Sequence, residues 1–591
     1  MKKLSINIIC ALTLCAALLF SVGCGSNGGS TDSAEPTAAS DSTITAHEAT
    51  GEFTITTANG NYIQDGTTYT ITSAGTYALR GLLNGQVIVA AGNDEAVELD
   101  LSGVTIKNSS DSPIKLLSAD KVEISAKKNT ENIISDERSA KVSDDDTQGG
   151  GAMWANVDLK LKGAGILVVS ASYNNGVHTT KDLIIQKLSL KVTAVNNAIK
   201  GNDSITVKSG IIVAVSTNGD GIKTSSTSAN KSGKTRGDVT LLGGTVSVYS
   251  AGDGIQAAHS FVMRADEEAG TVPSLTVFTG SYSSYTADSA STTSYKGVKA
   301  QEEVVISAGN INVSSYDDGL HANSGTVFET GETGVGNITI SGGSVTMGVY
   351  SPEGQTGGGK FGPGFGGGRG GFGGQGNPGG APGGFGGRGG VSGHGDVANI
   401  ASMGMGGWAG QQTVSGADAI HADGTLTISG GNINIDSAYE GLEANVVNIS
   451  GGSTVVTAVD DGVNATKGAQ PAQINITGGF LDVSVSPNGD FDGIDSNGSY
   501  TQTGGVVITR GPNSEMAAAL DAENAVSVTG GTLVVLGYAR VQTGTGVSSV
   551  SLSLHSSGNH SIKVDGVTYN FTNSSAYGQT LCWSDSAVSG N

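Results

Sequence analysis

The sequence predicts an all-β fold, a right-handed parallel β-helix, and the prediction depends on a short repeat. A four-residue motif of the form small, aliphatic, variable, small recurs along the chain, and several consecutive copies lie 21 to 23 residues apart. The eleven copies occupy residues 176–179, 198–201, 221–224, 254–257, 297–300, 319–322, 419–422, 441–444, 462–465, 493–496 and 519–522. Repeats of this length indicate structural units that bury a core only by stacking on one another.

The motif also predicts which way its side chains face. Its second residue is aliphatic in all eleven copies, and its fourth residue is always small. Such alternation marks a half-buried strand whose aliphatic residue faces the core. The variable third residue is therefore expected to face outward.

Further alternating runs follow the copies. Residues 337–340 and 473–476 each lead into a double glycine, and residues 432–435 form a run of a third kind. Three short strands per coil, turned at glycines that tolerate positive φ, predict three parallel sheets. The crossover rule predicts right-handed winding. A propeller or an antiparallel sandwich would need repeats of about 40 residues or regular hairpin signals, and neither is regular here.

The N-terminus predicts export. Residues 1–23 combine Lys2 and Lys3 with a short apolar run, which is the pattern of a signal peptide. Small residues then precede Cys24, which resembles the lipobox of bacterial lipoproteins, although Ser21 stands where that motif usually carries leucine. We expect Cys24 to be lipidated and the exported protein to be membrane-anchored at the bacterial cell surface. The alternative is a secretory signal that is cleaved elsewhere.

Composition divides the rest of the chain. The predicted segments are a flexible tether at 24–50, irregular N-terminal coils at 51–170, β-helix coils at 171–350, a Gly-rich low-complexity insertion at 351–412, further β-helix coils at 413–540, and C-terminal strands forming a cap at 541–591. The insertion is interpreted as a flexible loop, and the alternative is a basic-aromatic arm that binds an acidic polymer or the acidic face of the protein itself. Cys582 is left without an intramolecular partner, so no disulfide framework is expected.

The charge of the chain limits its partners. It has 31 basic and 53 acidic residues and a net charge of −22. This balance repels nucleic acid and anionic lipid surfaces, so we expect no nucleic-acid partner and no membrane contact except the lipid anchor. An acidic partner would require bridging cations. We expect the protein to be a monomer.

A column of acids precedes the motif. The residues immediately before the first ten copies, here called the turn column, are Asn175, Asn197, Asp220, Asp253, Lys296, Asp318, Asp418, Glu440, Asp461 and Asp492. Equivalent residues on successive coils lie about 4.8 Å apart. Two unscreened carboxylates at that distance repel by roughly 3 to 4 kcal/mol, so the column needs cations, protonation or contact with water.

Hard oxygen ligands beside glycine-rich turns are suited to Ca²⁺. The predicted metal ligands are the acids of this column and their neighbours, Asp220, Asp253, Asp317, Asp318, Asp418, Asp460, Asp461, Asp490 and Asp492. The alternative is a solvated acidic edge that blocks association. Lys296 interrupts the acids and could serve as an internal counter-ion.

The third residue of the motif forms a second column, here called the third-position column. Its members are His178, Lys200, Lys223, Gln256, Lys299, His321, His421, Glu443, Asn464, Asp495 and Asp521. Basic and imidazole side chains come early, and acids come late. A strip of this kind next to cation-loaded carboxylates is suited to a polyanionic sugar chain. The predicted substrate-binding residues are Lys200, Lys223, Lys299, His321 and His421, and the alternative is that they are ordinary exposed strand residues.

Several segments carry a resemblance to a known family. Residues 75–81, 86–89, 97–104 and 119–122, together with the repeated Asp-Gly-Ile/Leu-x-Ala coils, resemble the clostridial carbohydrate-binding β-helix lipoproteins that bind cellulose and pectin. The resemblance implies a calcium-containing right-handed β-helix, similar in shape to pectate lyases, that binds acidic plant polysaccharide without an established hydrolytic role. We carry calcium over only to the Asp-Gly turns given above.

Three functions compete at this point. The leading hypothesis is non-catalytic, calcium-dependent surface binding of polygalacturonate-like or cellulosic chains. The second is a polysaccharide lyase, in which Ca²⁺ would acidify the proton next to a uronate carboxylate and Lys200, Lys223 or Lys299 would abstract it. The third is a surface adhesin or spacer.

Overall fold

The computed structural model describes residues 44–139, 148–280, 294–349 and 417–590. The predicted signal peptide, the lipidation site at Cys24 and the insertion at 351–412 lie outside the described residues. Within these ranges every regular element is a strand, and no helix is present that could cross a membrane. The predicted all-β class is confirmed.

The N-terminal part begins with antiparallel pairs. Its strands are β1 (Thr54–Thr57), β2 (Tyr62–Asp65), β3 (Thr68–Ile71), β4 (Gly75–Asn84), β5 (Gln86–Ala90), β6 (Ala96–Asn108), β7 (Ile114–Ser118), β8 (Lys121–Ala126), β9 (Glu131–Asp136), β10 (Gly151–Ala155), β11 (Asp158–Gly163) and β12 (Ile166–Ala171). Strand β1 pairs antiparallel with β4, and β2 pairs antiparallel with β3. The other pairs within this part are parallel, beginning with β3 to β5 and β4 to β6.

The last residues of the predicted tether pack on these coils. Ile44 is buried. The backbone N–H of His47 donates to a carboxylate oxygen of Glu131, and that of Ala49 donates to the hydroxyl of Thr105 at 2.8 Å. Residues 44–50, which lie before the predicted boundary at residue 51, therefore already contact the β-strand body.

The middle of the chain repeats a three-strand coil. Its strands are β13 (Asn175–Thr179), β14 (Asp182–Gln186), β15 (Leu188–Ala194), β16 (Ile199–Gly201), β17 (Ser204–Val207), β18 (Gly210–Ser216), β19 (Ile222–Lys223), β20 (Asp238–Leu241), β21 (Thr245–Ser250), β22 (Ile255–Ala257), β23 (Ser260–Met263), β24 (Ser274–Thr279), β25 (Val298–Ala300), β26 (Glu303–Ile306), β27 (Asn310–Ser315), β28 (Leu320–Ala322), β29 (Ser324–Val327), β30 (Thr333–Val335), β31 (Asn337–Ile340) and β32 (Ser344–Val349). Strand β13 pairs in parallel with β16, β14 with β17, and β15 with β18, and the same offset of three continues from β16 through β28. Strands β29 and β30 form a separate antiparallel pair, and the parallel rows continue past them from β26 to β31 and from β27 to β32. The predicted three rows of parallel strands are present in these coils.

The coils continue on the far side of residues 350–416 without a change of register. The strands there are β33 (Ile420–Ile428), β34 (Asn432–Ser437), β35 (Leu442–Ile449), β36 (Ser453–Thr457), β37 (Val463–Ala465), β38 (Gln473–Ile476), β39 (Phe480–Ser484), β40 (Ile494–Ser496), β41 (Ser499–Arg510), β42 (Ala525–Leu536) and β43 (Val541–Thr543). Strand β28 pairs in parallel with β33, with Leu320 opposite Ile420 and Ala322 opposite Ala422.

The C-terminal strands return to antiparallel pairing. They are β44 (Ser548–Ser549), β45 (Gly558–Val564), β46 (Val567–Asn573), β47 (Thr580–Ser584) and β48 (Val588–Gly590). Strand β47 pairs antiparallel with β42, and β45 pairs antiparallel with both β46 and β48. This layer encloses a second, smaller core that includes Ile508, Ile562 and Phe571.

The main core is the stack of aliphatic residues that the motif predicts. The second residue of every copy is 0% exposed: Val177, Ile199, Ile222, Ile255, Val298, Leu320, Ile420, Leu442, Val463, Ile494 and Leu520. Burying one such side chain stabilises the fold by about 1.5 to 3 kcal/mol. The predicted inward face of the motif is confirmed.

Two glycines explain the small residues around the core. A Cβ atom added to Gly221 would lie 2.1 Å from Cγ1 of Val248, so the strand approaches the neighbouring row too closely for a larger residue. Gly343, the second glycine of a double-glycine turn, has φ of +87°, a conformation that L side chains rarely adopt. The second glycine of this turn is therefore required by backbone geometry.

Candidate functional site

The turn column links successive coils through hydrogen bonds. The Oδ1 atom of Asp220 accepts the backbone N–H of Asp253 at 2.9 Å, and Oδ1 of Asp253 accepts the N–H of Lys296 at 2.9 Å. The same bond joins Asn175 to Asn197 (3.2 Å), Asn197 to Asp220 (3.1 Å), Asp318 to Asp418 (2.9 Å) and Asp461 to Asp492 (2.7 Å). Short side chains that accept from a backbone N–H are favoured at turns, which explains why the column contains Asn as well as Asp.

The acids of this column differ in exposure. Asp220, Asp253, Asp318 and Asp418 are buried. Of the other predicted metal ligands, Asp317, Asp460, Asp461 and Asp492 are half-buried, and Asp490 is exposed. Among the predicted ligands only Asp490 is fully exposed, so the alternative of a solvated acidic edge fits this residue best.

The third-position column is in register across the coils. Lys200 lies opposite Lys223, Lys223 opposite Gln256, and Gln256 opposite Lys299. The pairing continues through His321, His421, Glu443 and Asn464 to Asp495. Toward the N-terminus it extends by two residues that sequence reasoning missed, Trp154 opposite His178 and Lys115 opposite Trp154. The segment 152–155 fits the motif if methionine is accepted at the aliphatic position.

The expected exposure of this column is wrong for several members. His178 is 0% exposed and Lys200 is 1% exposed, while His321 and His421 are 8% exposed. Their side chains leave the core face of the strand but fold against polar groups of the chain. Lys223, for example, places Nζ 3.2 Å from Oδ2 of Asp220 and is half-buried. Lys223, His321 and His421 each pair with the turn-column residue three positions earlier, and this pairing holds their side chains against the protein.

Lys296 is an internal counter-ion, as predicted. Its Nζ atom lies 2.6 Å from Oδ2 of Asp318 and 3.0 Å from Oδ1 of Asp317. Burial opposes the charge of Lys296, but the two carboxylates raise its pKa above the ordinary lysine value. Burial likewise opposes the charge of Asp318, but Lys296 and His321 hold its pKa well below the usual range. Asp317 and Asp318 are thus already provided with a cation.

A cluster of histidines and carboxylates lies on the next two coils. Nδ1 of His321 is 2.5 Å from Oδ2 of Asp318, and Nδ1 of His421 is 2.7 Å from Oδ2 of Asp418. The two imidazole rings are stacked, with centroids 4.5 Å apart and planes 5° from parallel. Burial lowers the pKa of His321. Burial would also lower the pKa of His421, but hydrogen bonds to three carboxylates raise it above the ordinary value.

The late coils carry carboxylates in excess. We call Glu440, Asp460, Asp461, Asp492 and Asp495 the late acid cluster. Burial, reinforced by neighbouring carboxylates, raises the pKa of Glu440 to about 10, of Asp461 to about 8, of Asp495 to about 7 and of Asp492 to about 6. Among the described residues no lysine, arginine or histidine forms an ion pair with these four groups. Their donor atoms are all oxygens, which fits a hard cation such as Ca²⁺.

The structure thus divides the predicted metal ligands into groups. One group lies in the late coils, where neighbouring carboxylates repel one another. Asp460 and Asp492 help to raise the pKa of Asp461, and Asp490 and Asp460 help to raise that of Asp492. Asp220 and Asp253 form an earlier pair, in which burial and the charge of Asp220 raise the pKa of Asp253 to about 6. Asp317 and Asp318 bind Lys296, and Asp418 binds His421.

Comparisons with known proteins identify a related family. Residues 65–349 match a family model described as carbohydrate-binding domain-containing protein. A curated protein of that description from Acetivibrio thermocellus is 34% identical over 126 residues, which are 21% of this chain and 44% of that protein. The chain therefore spans less than half the length of this relative. The late acid cluster lies beyond the residues that match the family model.

One solved structure is also similar. It is the polysaccharide lyase-like protein from C. thermocellum, studied as a gadolinium derivative. The two chains are 28% identical, with a TM-score of 0.35 over 42% of this chain and 89% of the other.

Proposed function

We propose that this chain is a non-catalytic, calcium-dependent binder of polysaccharide, either acidic pectin-like or cellulosic, held at the bacterial surface by a lipid on Cys24. We also propose that its coils wind as a right-handed parallel β-helix. In the regular coils, such as those of β14, β17, β20 and β23, a strand pairs in parallel with the third strand after it, which supports a β-helix because one turn of such a helix contains three strands. The family matched by residues 65–349 supports a carbohydrate partner.

The observation that carries the binding proposal is the unbroken register of the third-position column. From Lys115 to Asp495 one residue per coil faces the same side of the sheet. A polysaccharide presents equivalent groups at regular intervals, and a ladder of equivalent side chains can meet several of them at once. Each single contact can be weak because many contacts act together.

The burial of the column refines which members can contact a polymer. Three predicted members are too buried to contact a ligand unless the surface rearranges: Lys200, His321 and His421. Lys223 and Lys299 are half-buried and are the basic members best placed to pair with uronate carboxylates.

Calcium would be held by carboxylates of the late acid cluster, chiefly Asp460, Asp461 and Asp492. The crowding of half-buried acids there supports this assignment, since ionising them without a cation places like charges close together. When bound, Ca²⁺ would neutralise these acids and offer open coordination positions to carboxylate or hydroxyl groups of a sugar. Asp461 uses Oδ1 to accept the N–H of Asp492, so the backbone of the turn orients its carboxylate.

Repetition argues against the lyase alternative. A general base must be placed within hydrogen-bond reach of one proton and be distinguished from its neighbours. Lys200 and Lys223 are instead register equivalents, and Lys299 occupies the same column two coils later. Lys223 is also engaged by Asp220. A ladder of equivalents is better suited to holding a polymer than to cleaving it.

The test is retention of the purified protein on insoluble polygalacturonate and on cellulose, with and without Ca²⁺, alongside ultraviolet absorbance of unsaturated uronates in the soluble fraction. We expect calcium-dependent retention and flat absorbance. Rising absorbance that Lys223→Ala alone abolishes would replace the binder with a lyase. If the protein is retained on neither polymer and no absorbance appears, the binding proposal is wrong and a role as a surface adhesin or spacer is favoured.

A further inference from the structure

Two carboxylates converge on one buried imidazole nitrogen. Nδ1 of His421 lies 2.7 Å from Oδ2 of Asp418 and 2.8 Å from Oε2 of Glu443. Asp418 precedes β33, His421 lies on β33 and Glu443 lies on the adjacent strand β35, with His421 and Glu443 directly opposite each other. The three residues are 4%, 8% and 8% exposed.

A single proton satisfies this arrangement poorly. The N–H of an imidazole points along one direction, whereas the two carboxylate oxygens occupy different positions around Nδ1. Two buried carboxylates beside one imidazolium leave a net negative charge, which is costly in a buried site.

The other ring nitrogen has a partner typical of metal-binding histidines. Nε2 of His421 lies 3.2 Å from Oδ1 of Asp423, whose Oδ2 accepts the backbone N–H of Ser324 at 2.8 Å. Histidines that bind metals usually donate their second N–H to a carboxylate or carbonyl, which fixes the ring and raises the basicity of the ligating nitrogen. Asp423 is held in place to do this.

We propose that Asp418, His421 and Glu443 bind a divalent transition-metal ion of the Zn²⁺ class, with Nδ1 of His421 and one oxygen from each carboxylate as ligands. Zn²⁺ bonds to nitrogen and oxygen are about 2.0 to 2.2 Å long, which places tetrahedral ligands about 3.4 Å apart. The present separations of 2.7 and 2.8 Å widen to that value if each carboxylate retreats by a little over half an ångström. The three donor atoms already lie within 4.8 Å of one another.

The donor set selects against calcium. Ca²⁺ takes six to eight oxygen ligands, whereas imidazole with carboxylates is suited to Zn²⁺, Co²⁺ or Cu²⁺. This site therefore differs from the calcium assignment at the late acid cluster, and it does not depend on polysaccharide binding.

Two neighbouring histidines serve as internal comparisons. On the preceding coil, Oδ2 of Asp318 contacts both His321 and the ammonium group of Lys296, so a cation is already present there. On an earlier coil, Nδ1 of His259 lies 2.6 Å from Oδ1 of Asp238, and Lys234 pairs with that aspartate. Neither histidine has two carboxylates converging on one nitrogen in the described residues, so the proposal is confined to His421.

The experiment uses the full chain, purified without a histidine tag and freed of metal. Zn²⁺ is titrated by calorimetry in the presence of a hundredfold excess of Ca²⁺, and bound metal is measured by mass spectrometry after dialysis. We expect one equivalent of Zn²⁺ per chain. His421→Gln and Glu443→Gln should lose it, and Asp423→Asn should weaken it by about tenfold to a hundredfold, as expected for an outer carboxylate. The matched control His259→Gln should bind Zn²⁺ like the unmodified protein.

A spectroscopic measurement keeps the test decisive if a variant does not fold. Cu²⁺ added to the unmodified chain should give an electron paramagnetic resonance spectrum with coupling to one imidazole nitrogen, and Co²⁺ should give visible absorption. The proposal is overturned if the unmodified chain binds no Zn²⁺ in excess Ca²⁺, if folded His421→Gln binds it normally, or if the Cu²⁺ spectrum shows no nitrogen coupling.

Discussion

The ammonium group of Lys296 lies 2.6 Å from Oδ2 of Asp318, the residue at the equivalent position of the next coil. It is the one basic residue among the ten members of the turn column. This ion pair joins two successive coils. At other junctions of the turn column the coils are joined by a hydrogen bond from a backbone N–H to an aspartate or asparagine side chain.

Replacing Lys296 by alanine should destabilise the fold strongly. The change leaves the carboxylates of Asp317 and Asp318 without their cation, and removing one partner of a buried ion pair costs about 3 to 5 kcal/mol. Chemical denaturation of the full chain measures the loss. Lys467→Ala is the matched control, because Lys467 pairs with Glu523 on the surface, where an ion pair is worth about 1 kcal/mol or less. Equal losses in the two variants would contradict the assignment.

Ile222→Asp should prevent folding. Ile222 is 0% exposed within the aliphatic stack, and an unpaired carboxylate there has no compensating partner. We expect a loss of more than about 4 kcal/mol, seen as insoluble or protease-sensitive protein. Ile211→Asp makes the same substitution at a residue that is 48% exposed, and it should leave the protein folded. A soluble, cooperatively melting Ile222→Asp protein would show that the register is wrong.

The metal-free protein should lose stability as the pH rises. The folded chain raises the pKa of Asp492 to about 6, of Asp495 to about 7 and of Asp461 to about 8, above the ordinary value of 3.8. The folded state therefore binds protons that the unfolded chain has released, and the free energy of unfolding falls between about pH 4 and pH 8. Melting temperatures measured across this range in EDTA test the slope.

Calcium should remove most of that slope, and chelation at pH 8 should lower the melting temperature. The double variant Asp461→Asn, Asp492→Asn is the informative control, because asparagine keeps the Oδ1 acceptor for the next backbone N–H but removes the charge. Its stability should fall less steeply with rising pH than that of the unmodified chain, because Glu440 and Asp495 remain, and it should depend little on Ca²⁺ or EDTA. A melting temperature of the unmodified chain that EDTA leaves unchanged at pH 8 would exclude a structural calcium ion in the late acid cluster.

Loss of basic side chains should weaken polymer retention in steps. Lys223→Ala removes one rung of the third-position column and should reduce retention on polygalacturonate modestly, while Lys223→Ala with Lys299→Ala should reduce it further. Lys231→Ala changes an exposed lysine outside the column and should have no effect. Complete loss from Lys223→Ala alone, with the fold intact, would indicate a single site in place of a ladder.

Much of the fold could be predicted because its cause is local. The alternation around Ile222 or Leu442 recurs from coil to coil, and each copy of the motif independently indicates which side chain faces the core. The role of Lys296 could also be predicted, since a single base in a column of acids must lie beside them once the coils stack.

The candidate site was harder to predict because its decisive contacts cross between coils and turns. Sequence spacing places His421 on the outer face of its strand, but it does not show that Asp418, Glu443 and Asp423 surround its ring. It likewise does not show that the turn column accepts backbone N–H groups, which makes Asn175 and Asp220 equivalent in structure although they differ in charge. The exposure of His321 was mispredicted for the same reason, since its contact with Asp318 in the turn holds the ring against the protein.

The register across residues 350–416 has a practical consequence. Strand β32 ends at Val349 and β33 begins at Ile420, yet β33 continues the stack on β28 with no offset. The entropy of closing a loop rises only slowly with its length. This junction is therefore a natural graft point, where an enzyme or a reporter domain could be inserted into the chain between β32 and β33 while β28 and β33 remain paired.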